Sequence, residues 1–144
     1  MEKRILLEQL RQLETAEPTN KITTPIDVVP ILITRYGKRK QENFIVITLD
    51  GAHNVIKKRV VSKGLVNRTL VHPREIFRPA ISDNAVAIII AHNHPSGSVK
   101  PSRDDDAVTK AIREAGEIVG IRVLDHIVFS GNGNYYSYLE DNKL

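Results

Sequence analysis

The hydrophobic pattern predicts six strands, two of which are much more apolar than the others. Residues 42–50 (ENFIVITLD) and 85–91 (AVAIIIA) are nearly continuous apolar stretches, as in strands buried on both faces of a sheet. A turn sequence, DGAHN, follows the first of them and predicts an antiparallel hairpin with the next strand. The remaining predicted strands mix apolar and polar positions and cover 55–64, 65–71, 121–130 and 135–139.

Two helices are predicted before the first strand. Residues 2–16 place apolar side chains near helical spacing with good helix formers between them. After a polar break, Thr24 is a suitable N-cap for a helix over 25–41. Pro30 should strain that helix, and Gly37 should stop it.

Two more helices are predicted further along the chain. The first, over 72–82, is short and has a proline at its start. The second, over 102–120, opens at Ser102 and closes at Gly120, a residue suited to a C-cap. Its predicted apolar stripe is Ala107, Val108, Ala111, Ile112, Ala115, Ile118 and Val119.

Strands and helices without strict βαβ alternation predict an α/β protein of the α+β type, with a curved mixed sheet flanked by helices. A length of 144 residues suits one main domain. We place that domain at residues 23–144, preceded by an N-terminal helical extension over 1–22. An unpaired sheet edge could support an oligomer.

The composition narrows the chemistry available. There is no cysteine, so a metal would have to be bound by His, Asp or Glu. The net charge is 21 − 17 = +4, and no segment approaches the roughly 18 apolar residues of a membrane span. We therefore expect a cytoplasmic protein without membrane contact.

Two basic clusters could contact DNA, although a solvated surface is the simpler explanation. They are Arg35, Lys38, Arg39 and Lys40, and then Lys57, Lys58 and Arg59.

The stretch AHNHPSGSVKPSRDDD, residues 91–106, concentrates the candidate chemistry. His92 and His94 lie two apart at the end of a buried strand, so their imidazoles can share one face, roughly 7 Å apart at Cα. Asn93 then points to the other face. The loop returns at Ser102, where three aspartates begin a helix. A simpler explanation is that these aspartates only favour the start of the helix, because negative charge there interacts well with the helix dipole. Two histidines and a carboxylate with an open fourth position form the ligand set of a catalytic zinc.

The motif resembles a known family. His92-x-His94, seven residues, Ser102, two residues and Asp105 is similar to the signature of JAMM (MPN+, JAB) metalloproteases. The surrounding sequences VHPREIF, AHNHPSG, PSRDD and VLDHIV resemble bacterial RadC proteins still more closely, over roughly residues 20–140. The resemblance implies the JAB/MPN fold, which is cytidine-deaminase-like, and it selects Asp105 among the three aspartates.

The resemblance also implies roles for individual residues. His92, His94 and Asp105 would bind Zn²⁺, and Ser102 would donate to a developing oxyanion while capping the helix through its backbone position. A glutamate near the first core strand would be the general base, and the best match is Glu42. The rival is Glu75, which lies in the family-like sequence HPREIF. The implied reaction is hydrolysis of a peptide or isopeptide amide in a peptide or protein substrate.

Two further features bear on this interpretation. His126, beside Asp125, is expected to be a buried structural histidine, with a role in orienting a metal ligand left open. Many RadC-like chains carry an additional N-terminal helical domain with DNA-binding character, whereas only 41 residues precede Glu42 here. This difference weakens the family's link to DNA repair for this chain. The alternative to a hydrolase is nevertheless a DNA repair or recombination protein, non-catalytic or nuclease-like, that contacts DNA through its basic surface.

Overall fold

A computed structural model describes residues 21–64 and 71–144. The predicted helix over 2–16 and nearly all of the predicted strand over 65–71 lie outside these residues. The helices are a 3₁₀ helix at Pro25–Val28, α1 at Val29–Tyr36, α2 at Pro73–Ser82 and α3 at Arg103–Val119. The strands are β1 at Asn43–Leu49, β2 at Val55–Lys63, β3 at Ala87–Asn93, β4 at Arg122–Phe129 and β5 at Tyr135–Ser137.

The strands form one mixed sheet in the order β2-β1-β3-β4-β5. β1 pairs antiparallel with both β2 and β3, so the predicted hairpin is confirmed. β3 and β4 run parallel and are connected through α3, and β5 returns antiparallel to β4. All seven residues of β3 are buried, as its apolar sequence predicts. The α+β fold with a mixed sheet flanked by helices is confirmed.

Alternation along the central strands divides the core into two layers. Ile45 and Ile47 of β1 and Ile89 of β3 pack on one face, where α1 lies. Phe44 of β1 and Ile90 of β3 pack on the opposite face with residues of α2 and α3. Because side chains alternate along a strand, the even-numbered residues at the end of β3 face α3 and the odd-numbered ones face away from it.

α3 begins and ends where the sequence predicts. Ser102 is its N-cap, and Gly120 ends it in the left-handed conformation with φ of 76°. The predicted apolar stripe is wrong at its end, because Ile118 is 86% exposed and Val119 is 46% exposed. The buried side of this last turn is at Gly116, and Ile118 lies about 200° around the helix from it. Ile121, after the cap, is buried instead.

The predicted strain at Pro30 does not arise. The helical region is split into the 3₁₀ helix and α1, so Pro30 occupies the first turn of a new helix, where its missing N–H is tolerated. α1 ends at Tyr36 with Gly37 as its C-cap, as predicted. Among the helices of residues 21–64 and 71–144, none is long and apolar enough to cross a membrane.

Candidate metal centre

Three side chains from β3, the loop after it and α3 converge at the end of the sheet. The Nε2 atoms of His92 and His94 are 2.9 Å apart. Asp105 places one carboxylate oxygen 3.0 Å from His92 Nε2 and the other 3.3 Å from His94 Nε2. His92 and Asp105 are almost fully buried, whereas the His94 side chain is 13% exposed and lies at the mouth.

The helix cap fixes the position of the Asp105 carboxylate. The Ser102 N–H donates to Asp105 Oδ2 at 2.7 Å, and the Asp105 N–H donates to Ser102 Oγ at 3.0 Å. This is the reciprocal capping box expected for the sequence SRDD. Ser102 therefore caps the helix with its side-chain oxygen as well as through its backbone position. Its O–H can still donate to another group.

The donor atoms fit a small divalent ion. Ligand atoms of a tetrahedral zinc ion, bound at about 2.0–2.1 Å, lie about 3.3 Å from one another. His92 Nε2 and His94 Nε2 are 2.9 Å apart, and the nearest oxygen of Asp105 is 3.0 Å from the first and 3.3 Å from the second, Oδ1 and Oδ2 respectively. One ligand atom from each residue lies within 4.8 Å of the other two. The set of two imidazoles and one carboxylate also leaves a fourth position for a water molecule or substrate. His92, His94 and Asp105 could therefore hold such an ion.

A buried hydrogen-bond chain sets the orientation of His92. The Thr109 hydroxyl donates to the Asp105 carbonyl at 2.7 Å, so its oxygen must accept from the Nδ1–H of His126, with which it is in contact. His126 Nε2 is then an acceptor, and it lies 2.9 Å from His92 Nδ1. We infer that His92 carries its proton on Nδ1. The lone pair on Nε2 therefore faces Asp105 and His94.

His94 is oriented in the same sense by its own loop. Its Nδ1 lies 2.8 Å from the carbonyl oxygen of Ser98, which can only accept. Nδ1 must therefore carry a proton, and in the neutral imidazole the lone pair is on Nε2. A carbonyl or carboxylate that binds the second ring nitrogen is the usual companion of a metal-ligating histidine.

The charges of the site are strongly coupled. Burial alone would raise the pKa of Asp105, but a proton on Nε2 of His92 or His94 lets that histidine donate to the carboxylate, and these hydrogen bonds hold the pKa far below its usual range. A metal ion would take the place of such a proton. The bond to Asp105 raises the pKa of His94. Complete burial, together with the neighbouring His92, lowers the pKa of His126 well below its ordinary value. His126 is accordingly neutral, in agreement with its acceptor role.

A second layer of contacts supports His126. Tyr138 stacks on its ring at a centroid distance of 4.8 Å and an angle of 6°, and the Tyr138 hydroxyl donates to Asp106 at 2.7 Å. Asp106 is thus more than charge at the helix start, contrary to the sequence interpretation. Asp125 is buried and accepts from the Leu139 N–H at 3.0 Å and from Ser137, which holds the segment that carries Tyr138.

Sequence reasoning missed Thr109 and Tyr138. Thr109 lies four residues after Asp105, and this spacing puts both on one face of α3. That spacing was the available signal. No comparable signal exists for Tyr138, because its contact with His126 depends on how β5 and the segment after it pack.

The two candidate bases occupy different surroundings. The pairing of β1 with β3 ends with Phe44 opposite His92, and the same register extended by two residues brings Glu42 opposite His94. The charge of Glu42 contributes to the raised pKa of His94, after the larger effects of Asp105, burial and Ser98. Glu75 lies in the first turn of α2, where its half-exposed side chain pairs with Arg74. Of the two glutamates, Glu42 thus has an electrostatic effect on the site, through His94.

A mixed sheet whose central strand and following loop bring two histidines to an aspartate at a helix N-terminus is the arrangement of the JAB/MPN class, and these residues could hold a metal ion. Comparison with protein families specifies it further. The family model described as RadC-like JAB domain matches residues 22–144, so this chain belongs to that family.

Similar proteins are named only by a family number, UPF0758, and these names state no function. UPF0758 proteins of Trichlorobacter lovleyi and Methanococcoides burtonii are both 43% identical to this chain, over 136 and 141 residues. These alignments cover 94% and 96% of this chain but only 57% and 61% of the relatives. One from Geobacter sulfurreducens is 41% identical, with 88% of this chain and 55% of the relative covered. The chain therefore spans somewhat more than half the length of these relatives.

The buried chain behind His92 gives a prediction for metal affinity. His126→Phe keeps an aromatic ring against Tyr138 but removes the acceptor for His92 Nδ1–H. We expect zinc to bind about 10-fold to 100-fold more weakly, the usual effect of losing such a partner. Competition with a chromophoric chelator measures this affinity.

The control is His53→Asn, which removes a histidine from an exposed turn with φ of 61°, a conformation that asparagine tolerates. Equal zinc affinity in wild type and His126→Phe would show that His126 does not orient His92.

Proposed function

We propose that this protein is a zinc-dependent hydrolase that cleaves a peptide or isopeptide amide. One observation carries the proposal: the Nε2 atoms of two imidazoles converge with one carboxylate, while both Nδ1 atoms lie within hydrogen-bond distance of other partners. Membership of the JAB class, a superfamily that includes metalloproteases, supports the same conclusion.

His92, His94 and Asp105 are the proposed ligands. Zinc, when bound, supplies a Lewis acid and lowers the pKa of a water molecule to about 7. The ligand residues themselves are already positioned by β3 and by the cap of α3, so little rearrangement is needed to accept the ion. The His94 side chain is 13% exposed, so the site is open on the side of His94, from which a substrate would approach.

Glu42 is the proposed general base. Alternation along β1 puts it on the same face of the sheet as Phe44, which stacks on His92 at 5.9 Å between ring centroids. In the proposed reaction its carboxylate takes a proton from the attacking water as the new C–O bond forms. It then delivers that proton to the amine nitrogen as the C–N bond breaks.

Ser102 is the proposed oxyanion donor. Its oxygen accepts from the Asp105 N–H, which fixes the hydroxyl beside the carboxylate while leaving the O–H hydrogen able to donate. A donor placed in this way stabilises negative charge that develops on the carbonyl oxygen. Ser102→Ala would also remove the cap, so it is a less selective test than a change at the base.

The proposal predicts the outcome of paired glutamate variants. Glu42→Gln should bind zinc as wild type does but lower kcat about 100-fold or more, because a general base typically contributes 10²–10⁴. Glu75→Gln, which alters a half-exposed helix residue, should leave kcat unchanged. Screening an unbiased library of peptides and isopeptides with the zinc-loaded wild type identifies the substrate for these assays.

Two results would contradict this assignment. A wild-type protein that does not take up about one equivalent of zinc would remove the site itself. A rate that is unchanged in Glu42→Gln but lost in Glu75→Gln would transfer the role of base to Glu75.

DNA contact is the second candidate function. The structure groups the basic residues differently from their order in the sequence, and this grouping favours DNA contact. Burial lowers the pKa of Lys58, and repulsion from Arg35 lowers it further, so Lys58 lies near Arg35 of the first basic cluster. Arg59 is excluded, because it forms a charged hydrogen bond of 3.1 Å with Asp83. The resulting basic surface is Arg35, Lys38, Arg39, Lys40 and Lys58.

A DNA-binding role predicts affinity for duplex DNA that falls steeply with salt and survives His92→Ala. Lys38→Glu combined with Lys40→Glu should abolish it. Fluorescence anisotropy at several salt concentrations measures both effects. We expect the hydrolase to show no such salt-dependent binding, and its presence would favour the second function.

A further inference from the structure

We propose that Asn93, the residue between the two histidines, is a positioning residue that holds Glu42 in line with the metal centre. This inference rests on the proposed function, since it concerns the base of that reaction. It assigns to the middle residue of the sequence HNH a role distinct from metal binding.

The side chain of Asn93 forms hydrogen bonds to the main chain directly before and directly after Glu42, an arrangement that we call the grip. Its carbonyl oxygen accepts from the Asn43 N–H at 2.6 Å, and its amide nitrogen donates to the Gln41 carbonyl at 2.9 Å. A longer contact of 3.4 Å reaches the Arg39 carbonyl. Asn93 is only 1% exposed, so these bonds form away from competing water.

The grip lies on the face of the sheet opposite the histidines. His92 faces α3, and alternation directs Asn93 to the side of α1. Asn43, also buried, points to the side of Asn93, and Glu42 consequently points to the side of His94. The strand that carries the ligands therefore also fixes the direction in which the base projects.

The main chain of Glu42 itself is bonded to the residue that follows β2. The Glu42 carbonyl accepts from the Gly64 N–H at the end of β2, at 2.8 Å. The Asn43 side chain donates in addition to the Gln41 carbonyl at 2.8 Å. Among the described contacts, the main chain around Glu42 is thus held from the end of β2 on one side and from Asn93 of β3 on the other.

The chemistry of the side chain explains why asparagine suits this position. The site requires one acceptor for an N–H and one donor for a carbonyl, separated as in a carboxamide. Alanine supplies neither group. Aspartate keeps the acceptor but loses the donor. Misplacement of a catalytic group by about 1 Å can cost about 100-fold in rate, so loss of the grip should slow catalysis without releasing the metal.

The test is a double-mutant cycle with zinc-loaded protein. Asn93→Ala should lower kcat about 10-fold to 100-fold, with KM and zinc stoichiometry unchanged. In a Glu42→Gln background the same change should have almost no further effect on kcat, because its target is already disabled. If Asn93→Ala does not fold, Asn93→Asp should give the same pattern.

A matched control separates positioning from general destabilisation. Thr48→Val also removes a buried polar group that bonds a neighbouring main chain, here the Lys57 N–H at 3.1 Å, but at the far end of β1. It should lower the melting temperature comparably and leave kcat unchanged. If Asn93→Ala lowered kcat by the same factor in wild-type protein and in the Glu42→Gln variant, the inference would be contradicted.

A measurement independent of hydrolysis distinguishes this inference from the proposed function. In Co²⁺-loaded protein, paramagnetic broadening of the ¹³C carboxyl signal of Glu42 depends steeply on its distance from the ion. Asn93→Ala should weaken that broadening while His94 signals stay broadened. Unchanged broadening would overturn the role of Asn93 even if hydrolysis is demonstrated. Weakened broadening without hydrolysis would retain it and reject the amidase activity. Wild-type protein that binds no Co²⁺ would overturn both.

Discussion

The candidate site depends on one closed chain of buried hydrogen bonds. It runs from His92 through His126 to Thr109, and the Thr109 hydroxyl returns to the main-chain carbonyl of Asp105. Because a carbonyl can only accept, it fixes the direction of every proton in the chain. His92 on β3 is thereby oriented from α3, with its Nε2 turned toward the Asp105 carboxylate, which the Ser102 cap holds in place. Burial of the whole chain makes any alternative arrangement costly.

Strand β3 and the loop after it place residues of the proposed mechanism on both faces of the sheet. His92 and the loop residue His94 reach the side of α3, whereas Asn93 reaches the opposite side and grips the start of β1. The cap of α3 has a comparable double role, since Ser102 begins the helix and holds Asp105. Each part of the site is therefore also part of the fold. The geometry of the proposed ligands and base should accordingly persist without a substrate to organise it.

Much of this arrangement could be predicted from local sequence. The unbroken apolar run before His92 identifies a buried strand, and SRDD identifies a capped helix, so periodicity predicts that two histidines meet the start of an acidic helix. The choice of Asp105 among the three aspartates came from the family resemblance. The longer-range partners could not be predicted. Tyr138 meets His126 through the packing of the C-terminal segment, and Ile118 is exposed because Gly120 turns the chain back so that Ile121 covers the core.

The position of Glu42 illustrates the same limit. Its place at the start of β1 is evident from the sequence, but its relation to His94 depends on the register between β1 and β3, which no local pattern encodes. The family resemblance supplied that assignment, and the register supports it. The DNA-binding alternative depends on surface charge instead of on this buried geometry, so the two candidate functions rest on separate parts of the molecule.

The most direct test of this account is anomalous X-ray diffraction at the zinc absorption edge, using crystals of the zinc-loaded protein. We predict one strong peak about 2.0–2.2 Å from His92 Nε2, His94 Nε2 and a carboxylate oxygen of Asp105, with both Nδ1 atoms still bonded to His126 and Ser98. A crystal without a peak at this position, or with His92 bound to the ion through Nδ1, would contradict it.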